Sequence, residues 1–263
     1  MNNQVKYVSI CADDYGITNK VNEAIVELID KKRITATSCI VLTKDFLVNI
    51  SELISRRDKI DVGLHITLTN FKPLTNCKNL TTNNKLPSLV KLLFLIIFKK
   101  KVLKEIREEI YFQFNKFESI LGFKPQFIDG HHHVHQFSFI NDIIISLIKD
   151  KYKKDNYPWI RVCNDTFINI IIRKTSIFKS ILINLFSISF KKKIIKNSIK
   201  YNKGFSGFYN FSNSTNFEYK FLNFLKKIKS EHLIMVHPGI SDNKLLKLDS
   251  AVLRNTERIH FTS

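Results

Sequence analysis

Glycine, proline and tryptophan are scarce in this chain of 263 residues, which contains 7 Gly, 5 Pro and 1 Trp. This scarcity excludes collagen-like and proline-rich disordered proteins. Acidic residues are also few, because 23 Asp and Glu accompany 42 Lys and Arg and leave a formal net charge of +19. With 44% hydrophobic and 25% charged residues, the chain has the composition of a globular protein that buries a sizeable core.

The chain has no CxxC pair, which excludes a zinc ribbon and a thioredoxin motif. Its N-terminal residues, MNNQVKYVSI, lack the basic region and apolar core of a signal peptide. The longest apolar run, residues 92–98, is much shorter than the ~20 residues needed to span a bilayer. We therefore expect a reduced, cytoplasmic protein. The four cysteines are Cys11, Cys39, Cys77 and Cys163.

The excess of lysine is scattered along the whole sequence. Lysine pairs or triplets occur at residues 31–32, 99–101, 153–154, 191–193 and 226–227. A scattered pattern favours a solvated basic surface over a dedicated nucleic-acid face, so we expect no nucleic-acid partner. A non-catalytic scaffold or nucleic-acid-binding protein is the alternative from another functional class.

Short apolar runs alternate with helical patterns in the first 70 residues. Residues 5–12, 36–42 and 60–68 are predicted strands, and residues 18–32 and about 46–57 are predicted helices. This alternation is typical of a parallel α/β fold, either an open sheet or a barrel.

The remaining sequence continues the α/β pattern without a repeat, a Gly/Ser linker or a boundary, so we predict one domain over residues 1–263. Residues 168–203, rich in Lys, Ile and Phe, are predicted to form a helical elaboration on it. The other predicted elements are a helix over most of 86–121, a strand at 125–128, a helix at 140–148, a strand at 159–162, one or two amphipathic helices within 168–200, a helix at 217–229 and a strand at 232–236.

Polar clusters follow most of the predicted core strands. Because parallel strands end at the same edge of a sheet, and active sites of α/β folds lie there, we expect these side chains to share one crevice. They are Asp13 and Asp14, His65, His131 to His135, Arg161 and His237.

Adjacent aspartates at the end of a strand should project to opposite sides, so that one can bind a metal while the other acts as a base. A helix N-cap is the alternative role for Asp13 and Asp14. His65 lies in an apolar strand, where a satisfied core histidine is the alternative to a metal ligand.

Four imidazoles occur within five positions in His131-His132-His133-Val134-His135, directly after the run that contains Asp129. They are costly to bury without partners, and imidazole with carboxylate suits zinc, although mixed sites also accept manganese, cobalt or magnesium. A polar loop with incidental histidines is the alternative. One Asp and two His beside a spare Asp and a distant His, here His237, suggest a metal-assisted hydrolase of an amide or ester.

Five motifs together resemble the YdjC-like carbohydrate deacetylases, a family that includes chitooligosaccharide deacetylases and proteins associated with hopanoid biosynthesis. The resemblance runs from residue 5 to about residue 250. It rests on ADDYG, ITATSCIVL, GLHITL with the following KPLT, FKPQFIDGHHHVH and HPG.

The resemblance implies a distorted or incomplete (β/α) barrel related to the polysaccharide deacetylases. It also implies removal of N-acetyl groups from an amino sugar, such as an N-acetylglucosamine oligosaccharide, with a divalent metal, magnesium or zinc. Asp14, His65 and His131 would be the metal ligands, Asp13 the general base and His237 the general acid. The supporting or substrate-binding residues would be Asp129, Arg161, His133 and His135.

His131 and His133 would project to the same side if their strand continues, so the choice between them rests on the resemblance. The chain departs from the family within residues 168–203 and in its ending, RIHFTS, where relatives continue through a final helix. We expect both departures to lie away from the metal ligands.

The basic amphipathic stretch at residues 167–200 suggests a second substrate, a lipid-linked sugar or glycolipid at the membrane surface. A homodimer is a further assembly to consider.

Overall fold

The computed structural model describes residues 7–99, 101–209, 216–248 and 250–263. Within these ranges the strands are Val8–Tyr15 (β1), Ala36–Cys39 (β2), Asp61–Ile66 (β3), Phe127–Gly130 (β4), Trp159–Ile160 (β5), Gly204–Ser206 (β6) and His232–Val236 (β7). The α-helices are Asn19–Asp30 (α1), Ile50–Ile54 (α2), Leu89–Phe98 (α3), Lys101–Leu121 (α4), Ile140–Lys151 (α5), Phe167–Arg173 (α6), Ile177–Lys196 (α7), Phe217–Phe224 (α8), Asn243–Leu248 (α9) and Ala251–Thr262 (α10).

All seven strands are parallel and lie in the order β5-β4-β3-β2-β1-β7-β6. β1 lies inside the sheet between β2 and β7, and its last five residues are buried, as expected for a parallel sheet covered by helices. The predicted α/β class is therefore confirmed.

The two edges of the sheet curl toward each other. Ile160 of β5 forms a parallel bridge with Tyr201, and the Ile160 amide donates to the Lys200 carbonyl at 2.9 Å. The Asn202 side chain exchanges two hydrogen bonds with the backbone of Val162, at 2.8 and 2.9 Å. A short bridging segment, and not a full strand ladder, thus joins β5 to the entrance of β6. The predicted incomplete (β/α) barrel agrees with this arrangement.

α1 shows how the sequence directs the local structure. Thr18 is its N-cap, with backbone angles in the β region and a hydroxyl that accepts from the Val21 amide at 3.3 Å. Residues at helical spacing form its buried face, namely Val21, Ala24, Ile25, Leu28 and Ile29. The predicted start and apolar face of this helix are both confirmed.

Most predicted elements are present, and the differences concern their ends. Residues 5 and 6 of the first predicted strand lie outside the described residues. The helix predicted at about 46–57 is reduced to Ile50–Ile54, and the segment 168–200 forms two helices, α6 and α7. The sequence patterns missed β6, α9 and α10, of which β6 has only three residues. In the part of the chain that the structure describes, no helix is long and apolar enough to cross a membrane.

Candidate metal centre and active site

A cavity of about 530 Å³ opens at the carboxyl edge of the sheet. Asp13, Asp14, His65, His131 and His237 all line it, so the structure brings together residues that lie far apart in the sequence. Asp129, Arg161 and His135 lie behind this wall, since each is fully buried.

The end of β1 delivers both aspartates to the cavity. The register with β2 shifts between Ala12 and Tyr15, and Asp14 adopts a left-handed backbone with φ 71°. This irregularity breaks the strand alternation, so the expectation that Asp13 and Asp14 project to opposite sides of a regular strand is wrong. The N-cap alternative is also wrong, because Thr18 caps α1.

Asp14, His65 and His131 converge on one point. His65 Nε2 lies 3.3 Å and His131 Nδ1 lies 3.2 Å from the same carboxylate oxygen, Asp14 Oδ1. These three side chains offer ligand atoms that lie within 4.8 Å of one another. Two imidazole nitrogens and a carboxylate oxygen form a donor set that fits a divalent transition metal.

Asp129 fixes the orientation of His65. The Asp129 carboxylate lies 2.7 Å from His65 Nδ1, and the Ser38 hydroxyl lies 3.0 Å from the same nitrogen. A proton on Nδ1, held by Asp129, leaves Nε2 to face Asp14, an arrangement common behind metal-binding histidines. Burial opposes protonation of His65, but Asp129 and Asp14 outweigh burial and raise its pKa to about 10.

Arg161 is the buried centre of a second polar cluster. Its guanidinium contacts both oxygens of Asp13, at 2.6 and 2.5 Å, and lies 2.6 Å from Asp129 Oδ2 and 3.0 Å from Cys11 Sγ. Burial disfavours the charged guanidinium, but Asp129 and Asp13 more than compensate and raise the pKa of Arg161. Cys11, Asp13 and Asp129 also lie close enough to hold a metal, yet Arg161 already provides the cation there.

His237 lies beside Asp13 at the end of β7. Its Nε2 is 4.0 Å from Asp13 Oδ2, and its backbone amide donates to Glu257 Oε2 at 2.5 Å. The Tyr209 hydroxyl donates to the other oxygen of Glu257. Glu257, in α10, thereby fixes the loop that carries His237.

Arg254 is a site residue that sequence analysis missed. It lies in α10, is 1% exposed, and its guanidinium contacts Asp14 Oδ2 at 2.5 Å. Burial opposes ionisation of Asp14, but Arg254 and the histidines outweigh it and hold its pKa well below the usual range. The last helix, α10, thus reaches the proposed metal ligands through Arg254, which precedes the ending RIHFTS by four residues.

The histidine run does not continue β4. The strand ends at Gly130, and His132 and His133 adopt left-handed backbone angles with φ 54° and 57°. His131 consequently faces Asp14, whereas His133 Nδ1 lies 3.6 Å from Cys163 Sγ. The continuing strand that would place His131 and His133 on one side is therefore absent.

The other two histidines have separate surroundings. His133 lines the cavity edge-on to Phe208, with ring centroids 4.9 Å apart, and burial, aided by Lys179, holds its pKa well below the usual range. His135 Nε2 lies 3.1 Å from the Arg161 carbonyl oxygen. His135 therefore contacts the backbone that carries Arg161 and does not line the cavity.

Curated relatives match parts of this chain. A chitooligosaccharide deacetylase of Proteus mirabilis is 33% identical over 141 residues, which are 53% of this chain and 54% of that protein. A carbohydrate deacetylase of Clostridium beijerinckii is 32% identical over 146 residues, covering 53% of this chain and 55% of that protein. The match thus spans about half the length of these relatives.

A solved structure supports the fold over a longer range. The crystal structure of a putative cellobiose-phosphate cleavage protein from Enterococcus faecalis matches 99% of this chain and 92% of its own, with a TM-score of 0.73 at 20% identity. The family model described as YdjC-like protein matches residues 7–262. Because that match covers nearly the whole sequence, the chain belongs to the YdjC-like family.

Proposed function

We propose that this protein is a metal-dependent hydrolase that removes N-acetyl groups from an amino sugar. The observation that carries the proposal is the convergence of Asp14, His65 and His131 on one point, beside Asp13 and His237, in a single cavity. The two curated relatives support it, because they are named as chitooligosaccharide and carbohydrate deacetylases.

Asp14, His65 and His131 would hold the metal. Two imidazole nitrogens favour zinc, and magnesium is the second candidate. A bound divalent ion polarises an acyl carbonyl and makes water a stronger nucleophile. Charge balance also favours a cation, since the buried carboxylates of Asp13, Asp14 and Asp129 outnumber the two buried guanidinium groups near them.

Asp13 would act as general base and His237 as general acid. Arg161 fixes the Asp13 carboxylate by contacting both of its oxygens, so the side chain is held ready to accept a proton from the attacking water. His237 Nε2 lies 4.0 Å from Asp13 Oδ2. At this distance the two groups can exchange protons with two atoms bonded to the same tetrahedral carbon, the attacking oxygen and the departing nitrogen. His237 would then protonate the departing amine nitrogen.

Asp129, Arg161 and His135 would support these groups, and His133 would contact the sugar. Asp129 orients His65 and Arg161 orients Asp13, while His135 contacts the Arg161 backbone. The neutral His133 ring, which lines the cavity beside Phe208, is suited to a hydrogen bond with a sugar hydroxyl. The alternative of a non-catalytic nucleic-acid-binding protein does not account for a buried set of convergent metal ligands.

Release of acetate tests the proposed reaction. Protein loaded with zinc or magnesium is incubated with N,N'-diacetylchitobiose, and free acetate is measured together with bound metal. We expect acetate release that chelation abolishes and added metal restores. Stoichiometric metal without acetate release from this or any other N-acetyl sugar would overturn the reaction assignment.

Two aspartate variants separate the base from a general charge effect. Asp13→Asn should keep the metal and lose turnover, whereas Asp142→Asn, at an exposed position of α5, should leave both unchanged. Near-normal activity of Asp13→Asn would show that Asp13 is not the base.

A further inference from the structure

α7 exposes apolar side chains to solvent although its opposite face is already buried. Phe178 is 82% exposed, Leu182 44% and Leu185 53%, and their spacing of four and three residues places them on one side of the helix. Lys192 and Lys196 continue the same stripe toward the helix end. We call this stripe of Phe178, Leu182, Leu185, Lys192 and Lys196 the α7 outer face.

A second helix has the same character. α3 exposes four apolar side chains, with fractional exposures from 55% to 79%, and they are Val90, Phe94, Ile97 and Phe98. Exposed apolar surface of this extent marks interaction sites more often than chance exposure does.

Both helices reach the mouth of the active-site cavity. Leu89, the first residue of α3, and Leu182 of α7 line the cavity, together with Leu248 of α9. Lys85, Lys179 and Lys247 line it as well. Because the three lysines, Leu182 and Leu248 are exposed, they lie where the cavity meets solvent.

The charge around α7 has one sign. Residues 167–203 contain nine Lys and Arg and no Asp or Glu. A two-fold contact between copies of this face would bring like charges together, which disfavours self-association. Nucleic acid would satisfy the lysines but not the protruding Phe and Leu side chains, because nucleic-acid interfaces are polar.

An anionic lipid surface satisfies both features at once. Apolar side chains enter the boundary between headgroups and acyl chains, while lysines contact the headgroups. α7 has 20 residues but carries five lysines, so it suits a position on a membrane and not across one.

We propose that the α7 outer face, with the exposed side of α3, docks on an anionic lipid surface and brings the cavity mouth to it. The sugar that enters the cavity is then one carried on a lipid. This second statement rests on the proposed function, whereas the docking itself does not.

Vesicle flotation of the metal-loaded full chain tests the docking. We expect the protein to float with phosphatidylcholine vesicles that contain about one-third phosphatidylglycerol, and not with pure phosphatidylcholine. Raising the salt from about 0.1 to about 0.5 M should weaken binding. The Phe178→Ser/Leu185→Ser variant should lower the partition coefficient at least about tenfold.

The control variant replaces two exposed apolar side chains of a different helix by serine. Tyr111→Ser/Phe112→Ser removes two exposed aromatic side chains of α4 that do not line the cavity, and it should bind vesicles like the wild type. Absence of binding to anionic vesicles, or equal loss in both variants, would overturn the proposal. A dimer that Phe178→Ser/Leu185→Ser dissociates, without vesicle binding by the wild type, would overturn it in favour of a second copy.

Activity on two substrates tests the lipid-linked sugar. Phe178→Ser/Leu185→Ser should deacetylate soluble N,N'-diacetylchitobiose at the wild-type rate. On N-acetylglucosamine linked to a dialkylglycerol in anionic vesicles, it should lose about tenfold in kcat/KM, matching its loss of binding. Equal rates of both proteins on the glycolipid would overturn the substrate statement. Failure of the wild type on both substrates would overturn the proposed function, while flotation still decides the docking.

Discussion

The contact between Arg254 and Asp14 predicts a stability effect that depends on metal. In Arg254→Met the aliphatic part of the side chain is kept, but the guanidinium that contacts the buried Asp14 carboxylate is lost. Removing one partner of a buried pair costs about 3–5 kcal/mol in free energy of unfolding. His65 and His131 also face Asp14, so we expect the lower end, about 3 kcal/mol, in metal-free protein.

A divalent ion beside Asp14 would replace much of the lost positive charge. We therefore expect the loss in metal-loaded Arg254→Met to fall to about 1 kcal/mol, because the carboxylate is no longer uncompensated. The measurement is urea unfolding of wild type and variant, each with chelator and with saturating metal.

Arg258→Met is the matched control on the same helix. Arg258 pairs with Glu27 at 2.7 Å, and each side chain is more than a quarter exposed, so its loss should cost at most about 1 kcal/mol with or without metal. Equal destabilisation of Arg254→Met in both metal states would refute the idea that a cation and Arg254 share the charge of Asp14.

Three further predictions concern single residues. His131→Ala should weaken metal binding at least about tenfold, as measured by isothermal titration calorimetry, while unfolding stays cooperative. Gly207→Ala should destabilise the protein by more than about 1 kcal/mol in urea unfolding, because a Cβ would lie 2.3 Å from the Met235 carbonyl oxygen and φ is +120°. Thr18→Ala should cost about 1 kcal/mol through loss of the α1 N-cap, and Thr18→Ser should restore it.

The strand ends and their polar residues could be predicted from the sequence. Asp13, His65 and His237 each follow or end a buried apolar run, and parallel strands end at one edge of a sheet. Periodicity and strand direction therefore sufficed to predict that these side chains share a cavity.

The roles of Arg254 and Glu257 could not be predicted in the same way. Both lie on an amphipathic helix whose buried positions also include apolar residues, and an Arg or Glu on a helix is ordinarily a surface residue. Their position is set by how α10 packs against the sheet, which depends on contacts far away in the sequence.

The backbone irregularities near the site could not be predicted from the sequence either. The left-handed angles of Asp14, His132 and His133 decide which side chains enter the cavity, yet none of these positions is a glycine. Asp and His tolerate this conformation better than most residues, but tolerance alone does not predict it. The register of β1 and the end of β4 at Gly130 required the structure.

Arg254 and Asp14 are separated by 240 positions in the sequence, which has a consequence for the order of folding. Contacts of such separation close a very long loop, and they form late compared with contacts between neighbouring strands. β1, β2, β3 and β4 can pair before α10 docks, so an intermediate would possess the three metal ligands at the edge of the sheet but not the arginine that balances Asp14. Metal added during refolding would then bind before the last helix is in place, and its presence would speed the early assembly of the sheet more than the final docking step.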